Sequence, residues 1–127
     1  VDLISEQIRH ADGEVCRFKQ SDIFFRNHVI EFRINAEDPK TGMPSPGFIT
    51  HYHRPGGIGV RTDDYIYTGY TVPPYYDSMV SKIIVQADNR ANCITRAKRV
   101  LNETVVSGIQ TNIGLHKDIL EDPDFVE

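Results

Sequence analysis

The chain has 127 residues, of which 39% are hydrophobic, 9% aromatic and 25% charged, the composition expected of one soluble globular domain with a core of its own. No apolar run approaches the roughly 18 to 20 residues needed to cross a bilayer, and no charged-then-apolar leader opens at Val1, so neither a membrane span nor a signal peptide is expected. The net charge of -4 is local: Asp118, Glu121, Asp122, Asp124 and Glu127 face only Lys117, whereas residues 1–111 hold 13 basic and 13 acidic groups, which leaves no basic field for nucleic acid or anionic lipid.

From Val1 to Ala11, Leu3, Ile4 and Ile8 recur at helical spacing with Asp2, Ser5, Glu6 and Arg9 opposite, and Asp12-Gly13 supplies a stop. A domain that opens on a helix with no preceding loop is expected to continue a longer chain. Residues 14–27 are irregular, with Phe18, Ile23, Phe24 and Phe25 placed to pin the connection onto a core. His28 to Asn35 alternates cleanly. Ile30, Phe32 and Ile34 share one side and Val29, Glu31, Arg33 and Asn35 the other, a strand with one buried and one mainly polar face.

Met43-Pro44-Ser45-Pro46-Gly47 reads as a constrained turn before a weak strand from Phe48 to His53, and Arg54-Pro55-Gly56-Gly57-Ile58-Gly59 as a second turn. Val60 and Arg61 lead toward Tyr65–Tyr70, rich in aromatic and β-branched residues, and Ser81–Ala87 forms a further strand. Past Asp88 the period changes to helical through Cys93, Ile94, Ala97, Val100, Leu101 and Val105, with Gly108 as the stop. A last helix starts near Thr111 or Asn112, burying Ile113, Leu115, Ile119 and Leu120 and ending before Asp122-Pro123. The expected class is α+β, a mainly antiparallel sheet followed by two C-terminal helices.

Arg61 stands out chemically. It lies two residues beyond a glycine turn that lets backbone approach a ligand, and its planar guanidinium suits a carboxylate, bicarbonate or phosphate; a salt-bridged surface arginine beside an ordinary hairpin turn is the competing reading. A dinucleotide fingerprint explains these glycines poorly, because no helix follows to offer its N-terminus to a phosphate. Glu31, Arg33 and Asn35 form a second candidate row, against a merely solvated face. Pro73-Pro74-Tyr75-Tyr76-Asp77-Ser78 is a preset loop that can hold Tyr76 and Asp77 rigidly, and Lys82 is within reach of a pair with Asp77. His51 and His53 share a strand face without an evident third metal ligand, so no metal site is expected. Cys16 and Cys93 are far apart and have no histidine nearby, which predicts a reducing compartment, no disulfide framework and no thiol nucleophile.

The strings HVIEFRINAEDP (28–39), PSPG (44–47), PGGIGVR (55–61), GYTVPPYYDSMVSKII (69–84) and GIQTNI (108–113) resemble, in order and spacing, the C-terminal domain of biotin carboxylases, over about 100 residues from His28 onward. The opening VDLISEQI is similar to the helix that closes the preceding ATP-grasp domain of that family. The resemblance divides the chain into residues 1–27, the end of an ATP-grasp domain, and 28–127, the C-terminal domain.

It also implies the chemistry. Biotin carboxylases use ATP and bicarbonate, with Mg or Mn, to carboxylate biotin carried on a carrier protein, and Arg61 takes the position of the arginine that contacts bicarbonate and stabilises the biotin enolate. Glu31, Arg33, Asn35, Tyr76, Asp77 and Lys82 are expected to support that site. The family's ATP lid, nucleotide-binding lysines, metal-binding glutamates and general base have no counterpart here, so the isolated chain is expected to turn over nothing. Implied partners are a biotin carboxyl carrier protein, a carboxyltransferase such as that of an acetyl-CoA carboxylase in fatty acid biosynthesis, and a second copy in a homodimer, with Gln86 and Arg90 as contacts. No nucleic acid or membrane partner is expected, and the implied location is cytoplasmic, or mitochondrial in a eukaryote. A free-standing structural or dimerisation module with no catalytic role is the alternative.

Overall fold

A computed structural model describes residues 1–127. Its elements in chain order are helix α1 (Leu3–Ala11), a 3-10 turn (Gln20–Asp22), strands β1 (His28–Asn35), β2 (Gly47–Phe48), β3 (His51–His53), β4 (Val60–Asp64), β5 (Thr71–Val72) and β6 (Met79–Ala87), helix α2 (Arg90–Glu103), strand β7 (Val105–Ser107), and helices α3 (Ile113–Glu121) and α4 (Pro123–Val126). The class is α+β, with every strand pair antiparallel.

Helix α1 forms where the spacing predicts it, with the Asp2 carboxylate accepting from the Ser5 amide at 3.0 Å as its cap. None of its residues is buried. The connection after it does not reach the core either: Ile23, Phe24 and Phe25 are exposed, Phe25 at 99%, contrary to the expectation that they pin this segment down. The apolar cluster is assembled between Phe32 and Leu120 and closes without them.

The main sheet has the order β1-β6-β4. Its inner face pairs Ile30 with Val85 and Phe32 with Ile83 on β1 and β6, and continues across β6 to Val60 and Thr62 on β4. Helix α2 presents Cys93, Ile94, Ala97, Val100 and Leu101 to the core, and the Cys93 thiol donates to the Val85 carbonyl at 3.3 Å. Burying each of the larger of these side chains contributes about 1.5–3 kcal/mol. The Asn89 side chain caps α2 by accepting from the Asn92 amide at 2.9 Å. No helix is long and apolar enough to cross a membrane.

Strand β6 begins at Met79, two residues earlier than its apolar run predicts, because Ile34 pairs with Ser81 but Asn35 pairs with Met79. Val80 is the extra residue of a β-bulge, which is why Val80 and Ser81 are both buried although they are consecutive.

Three other expectations change. The helix after Asp88 ends at Glu103 rather than running to Gly108. The Thr104 hydroxyl donates to the Val100 carbonyl at 2.8 Å, and the β-branched run Thr104-Val105-Val106 turns extended so that Val105–Ser107 can pair with His51–His53. The Phe48–His53 strand is two short pieces in different ladders, one with β5 and one with β7. Tyr65–Tyr70 is a turn closed by the Tyr70 amide on the Tyr67 carbonyl at 3.0 Å, with the rings of Tyr65 and Tyr67 edge-on to Tyr70 at 5.6 and 5.3 Å. Helix α3 buries Ile113 and Leu120 but leaves Leu115 and Ile119 exposed, and the short α4 follows it, capped by Asp122.

Gly108 locks the two small ladders together. Its φ is +99°, and a Cβ there would lie 2.1 Å from the Phe48 carbonyl oxygen. Gly108→Ala is therefore expected to lower the unfolding free energy by more than about 1 kcal/mol, read as a lower urea midpoint at unchanged m. Burial pushes the Cys93 thiol up from its ordinary range, while Cys16 is exposed. One of the two thiols of the folded 127-residue chain should react with an aromatic disulfide reagent at pH 8, and both after denaturation; two fast-reacting thiols in the native state would contradict the packing of α2 on β6.

Candidate anion-binding face around Arg61

The turn before β4 is held from three sides. Gly57 and Gly59 adopt φ of +107° and +72°, conformations in which a side chain is strained. The Gln86 amide donates to the Gly59 carbonyl at 2.8 Å, Arg96 donates to the Gln86 carbonyl, and Arg99 reaches the Gly56 carbonyl at 3.4 Å. The Arg96 guanidinium fills the space where a Cβ on Gly59 would stand. Helix α2 and the end of β6 thus fix the start of β4, and with it Arg61.

From there the two-residue period of the strands sets the outer face. Arg61 is opposite Ile84 and Asp63 opposite Lys82 across β4 and β6, while Glu31 is opposite Ile84 and Arg33 opposite Lys82 across β1 and β6. Two cross-strand rows result, Glu31-Ile84-Arg61 and Arg33-Lys82-Asp63. Arg61, Lys82 and Arg33 carry positive charge there and Glu31 and Asp63 negative, so this face has one cation in excess on a chain whose net charge is -4.

Arg61 and Asp63 form a bidentate pair along β4, with Nε to Oδ1 at 2.9 Å and Nη2 to Oδ2 at 2.8 Å. The Arg61 side chain is nonetheless 73% exposed. The hydrogen bond from Arg61 holds the Asp63 carboxyl below the usual carboxylate range, with Lys82 and Arg54 adding to the effect, and Asp63 in turn raises the guanidinium. Glu31, Arg33 and Lys82 form no ion pair.

The remaining candidates lie at the margin of this face. Asn35 sits half-buried at the register shift, its Nδ2 donating to Glu37 at 3.1 Å, and Glu37 also accepts from the Ser78 hydroxyl. Asp77 does not pair with Lys82; its carboxylate accepts from the Met79 amide at 2.7 Å and shapes the entry to β6. Tyr76 is exposed on the same loop. Arg90 is drawn inward, donating to the Phe125 carbonyl with its guanidinium 4.7 Å from the Phe125 ring, whereas Gln86 is exposed. His51 and His53 lie on the exposed side of β3, and no three His, Cys, Asp or Glu side chains gather as a metal-binding set.

Sequence reasoning missed Asp63, although its position two residues beyond Arg61 on a strand places it on the same face. It also missed a polar cluster on the inner side of β4. The Tyr52 hydroxyl donates to Asp64, Arg54 Nε lies 3.4 Å from Asp64 Oδ2, and Arg54 also reaches the Thr62 carbonyl. Arg54, Thr62 and Asp64 border an open groove of about 530 Å³ that Asp63, Tyr65, Met79 and Lys82 also line.

A model of the biotin carboxylase C-terminal domain matches residues 31–127. Over 125 residues the chain is 55% identical to the biotin carboxylase of Haemophilus influenzae, covering 98% of this chain and 28% of that protein. It is 54% identical over 126 residues to the chloroplastic biotin carboxylase of Arabidopsis thaliana, covering 98% of this chain and 24% of that one. Among solved structures it superposes on the biotin carboxylase domain dimer of Hydrogenobacter thermophilus 2-oxoglutarate carboxylase, in complex with MgADP, ADP and bicarbonate, with a TM-score of 0.90 and 44% identity, covering 99% of this chain and 28% of that one. The Campylobacter jejuni biotin carboxylase gives a TM-score of 0.89 at 43% identity, over 99% of this chain and 28% of that one. The chain belongs to the biotin carboxylase C-terminal domain family. It spans 28% of the length of the Haemophilus influenzae relative.

Burial, the Asp64 hydrogen bond and the Asp64 charge together push the Tyr52 phenol far above its ordinary value of 10.0. A folded-state value raised above the unfolded one means that this stabilisation is complete below about pH 10 and is lost as the pH rises beyond it. Tyr52→Phe should therefore flatten the fall in stability above about pH 10, measured by urea unfolding at each pH. An unchanged alkaline slope would remove Tyr52 as its source.

Proposed function

We propose that this chain is the C-terminal part of a biotin carboxylase, which uses ATP and bicarbonate to carboxylate biotin on a carrier protein, and that Arg61 is the residue it contributes to the chemistry. The observation that carries this reading is a guanidinium on the strand that follows a rigid turn, largely open to solvent, on a face with an excess of positive charge. The fork can grip bicarbonate at two oxygens. When biotin loses its ureido proton, negative charge develops on the ureido oxygen, and a fixed cation facing that oxygen favours the transition state over the ground state. Donors placed in this way are worth about 100- to 1,000-fold in rate. Glu31, Arg33 and Lys82 share the face and set its charge, and Asn35, Tyr76 and Asp77 shape its margin.

Residues 1–27 close the preceding ATP-grasp domain and residues 28–127 form the C-terminal domain. The exposed apolar side chains of α1 and of the connection, Leu3, Ile4, Ile8, Phe24 and Phe25, support that division, since they find no cover within the chain. We assign the binding of ATP, and of the Mg or Mn that accompanies it, to the preceding domain. The partners of the whole enzyme are a biotin carboxyl carrier protein, a carboxyltransferase and a second copy of itself.

Arg61→Ala in the full-length enzyme should leave the fold intact and reduce biotin carboxylation by at least about tenfold. Near-normal turnover would return Arg61 to an ordinary surface ion pair, as a free-standing structural module requires. The 127-residue chain alone should show no bicarbonate-dependent ATP hydrolysis; measurable hydrolysis would refute the division of labour between the two domains.

A further inference from the structure

Asparagine is among the residues best suited to cap a helix, yet Asn112, which opens α3, gives its side chain no bond within that helix. Both ends of its amide go to strand β1 instead. Oδ1 accepts from the Asn35 amide at 2.9 Å and Nδ2 donates to the Arg33 carbonyl at 3.0 Å, while the Asn112 backbone N–H donates to the Asn35 carbonyl at 3.2 Å. His116, one turn further along α3, has its Nε2 3.0 Å from the same Arg33 carbonyl; a carbonyl only accepts, so this nitrogen carries the hydrogen. Strand β1 lies at an edge of the main sheet, and α3 thus pairs backbone that the sheet leaves open there.

The gripped residues are the ones whose side chains reach the outer face. Arg33 and Asn35 point there, while Ile34 between them is buried in the core. On its other side β1 shifts register against β6 between Ile34 and Asn35, so that ladder does not by itself fix the strand at this point. The Arg33 side chain is exposed and forms no ion pair that would hold it from the outer face. We propose that Asn112, assisted by His116, is a positioning residue for Arg33: its clamp on the edge of β1 sets the height and direction from which the Arg33 guanidinium reaches the anionic substrate. The inference rests on the reading of the outer face as the part of a biotin carboxylase site that this chain supplies, and takes nothing from the part given to Arg61. Misplacing a group of the site by about 1 Å is enough to cost about 100-fold in rate, so the placement of the strand beneath Arg33 matters to turnover.

The test is a double-mutant cycle in the full-length enzyme with Asn112→Ser, Arg33→Ala and the pair, with kcat and KM measured separately for bicarbonate, biotin and ATP. Asn112→Ser keeps a side chain that caps helices but is too short to bridge the two β1 groups, so it releases the strand while sparing α3. It is expected to lower kcat by about tenfold, to leave KM for ATP within about twofold, and to have almost no further effect when Arg33 is already alanine. His116→Ala, which removes one of the two donors on the Arg33 carbonyl, should give a smaller loss of about threefold that likewise disappears in the Arg33→Ala enzyme. Thermal unfolding of each variant checks the fold, and His116→Ala carries the test if Asn112→Ser does not fold.

A normal kcat in a folded Asn112→Ser enzyme would overturn the proposal. So would an equal loss with and without Arg33, or a loss shared by KM for ATP, either of which would make Asn112 a fastening of α3 to the sheet and no more. A normal Arg33→Ala enzyme would instead defeat the underlying reading of the outer face, so that single variant tells the two failures apart.

Discussion

Strand β6 must satisfy two opposite environments at once. It is the middle strand of the main sheet, with Ile83, Val85 and Ala87 buried on one side and Lys82, Ile84 and Gln86 on the other. Because side chains alternate, a slip of one residue against β1 or β4 would drive Lys82 into the core and lift Ile83 into solvent. The penalty for burying an unpaired ammonium makes that register untenable. The correct register has two consequences: a continuous apolar layer for α2, and the charged rows on the outer face. The bulge at Val80 adjusts the same ladder, bringing Ser81 opposite Ile34 while letting Met79 meet Asn35.

On the outer face, local placement prevails over global charge. The chain carries -4, yet Arg33, Lys82 and Arg61 converge against Glu31 and Asp63, while the surplus of carboxylates belongs to the last sixteen residues. Exposed charges are screened over about 10 Å, so the field at Arg61 is set first by its immediate neighbours. Rigidity comes from the glycine turn. Its backbone is tied to Gln86 and Arg99, and Arg96 holds the Gln86 carbonyl in turn, so the arginines of α2, which look like a solvated helix face, act instead as struts for β4.

Much of the fold is legible in local patterns. The alternation of Ile30, Phe32 and Ile34 and the helical recurrence of Cys93, Ile94, Ala97, Val100 and Leu101 both follow from one-sided burial, and both are observed. The places where local reading departs from the structure share a cause. Val105 fits a helical period but belongs to β7, the tyrosines of 65–70 have strand propensity but form a turn, and Phe24 and Phe25 are apolar but uncovered. In each case the outcome depends on a partner remote in sequence or outside these residues. Propensity and period carry no information about such partners.

The candidate face divides in the same way. The amino-acid sequence by itself determined that Arg61 follows a glycine turn and that Glu31 and Arg33 share one side of a strand, since turn chemistry and two-residue alternation are local properties. Only the tertiary structure decided that these side chains lie on one surface with Lys82 between them, that Lys82 opposes Asp63 rather than Asp77, and that Asp63 binds Arg61 at two points. Strand order and register join residues from three separate segments, and that joining depends on which apolar faces can be buried together, a property of the assembled core.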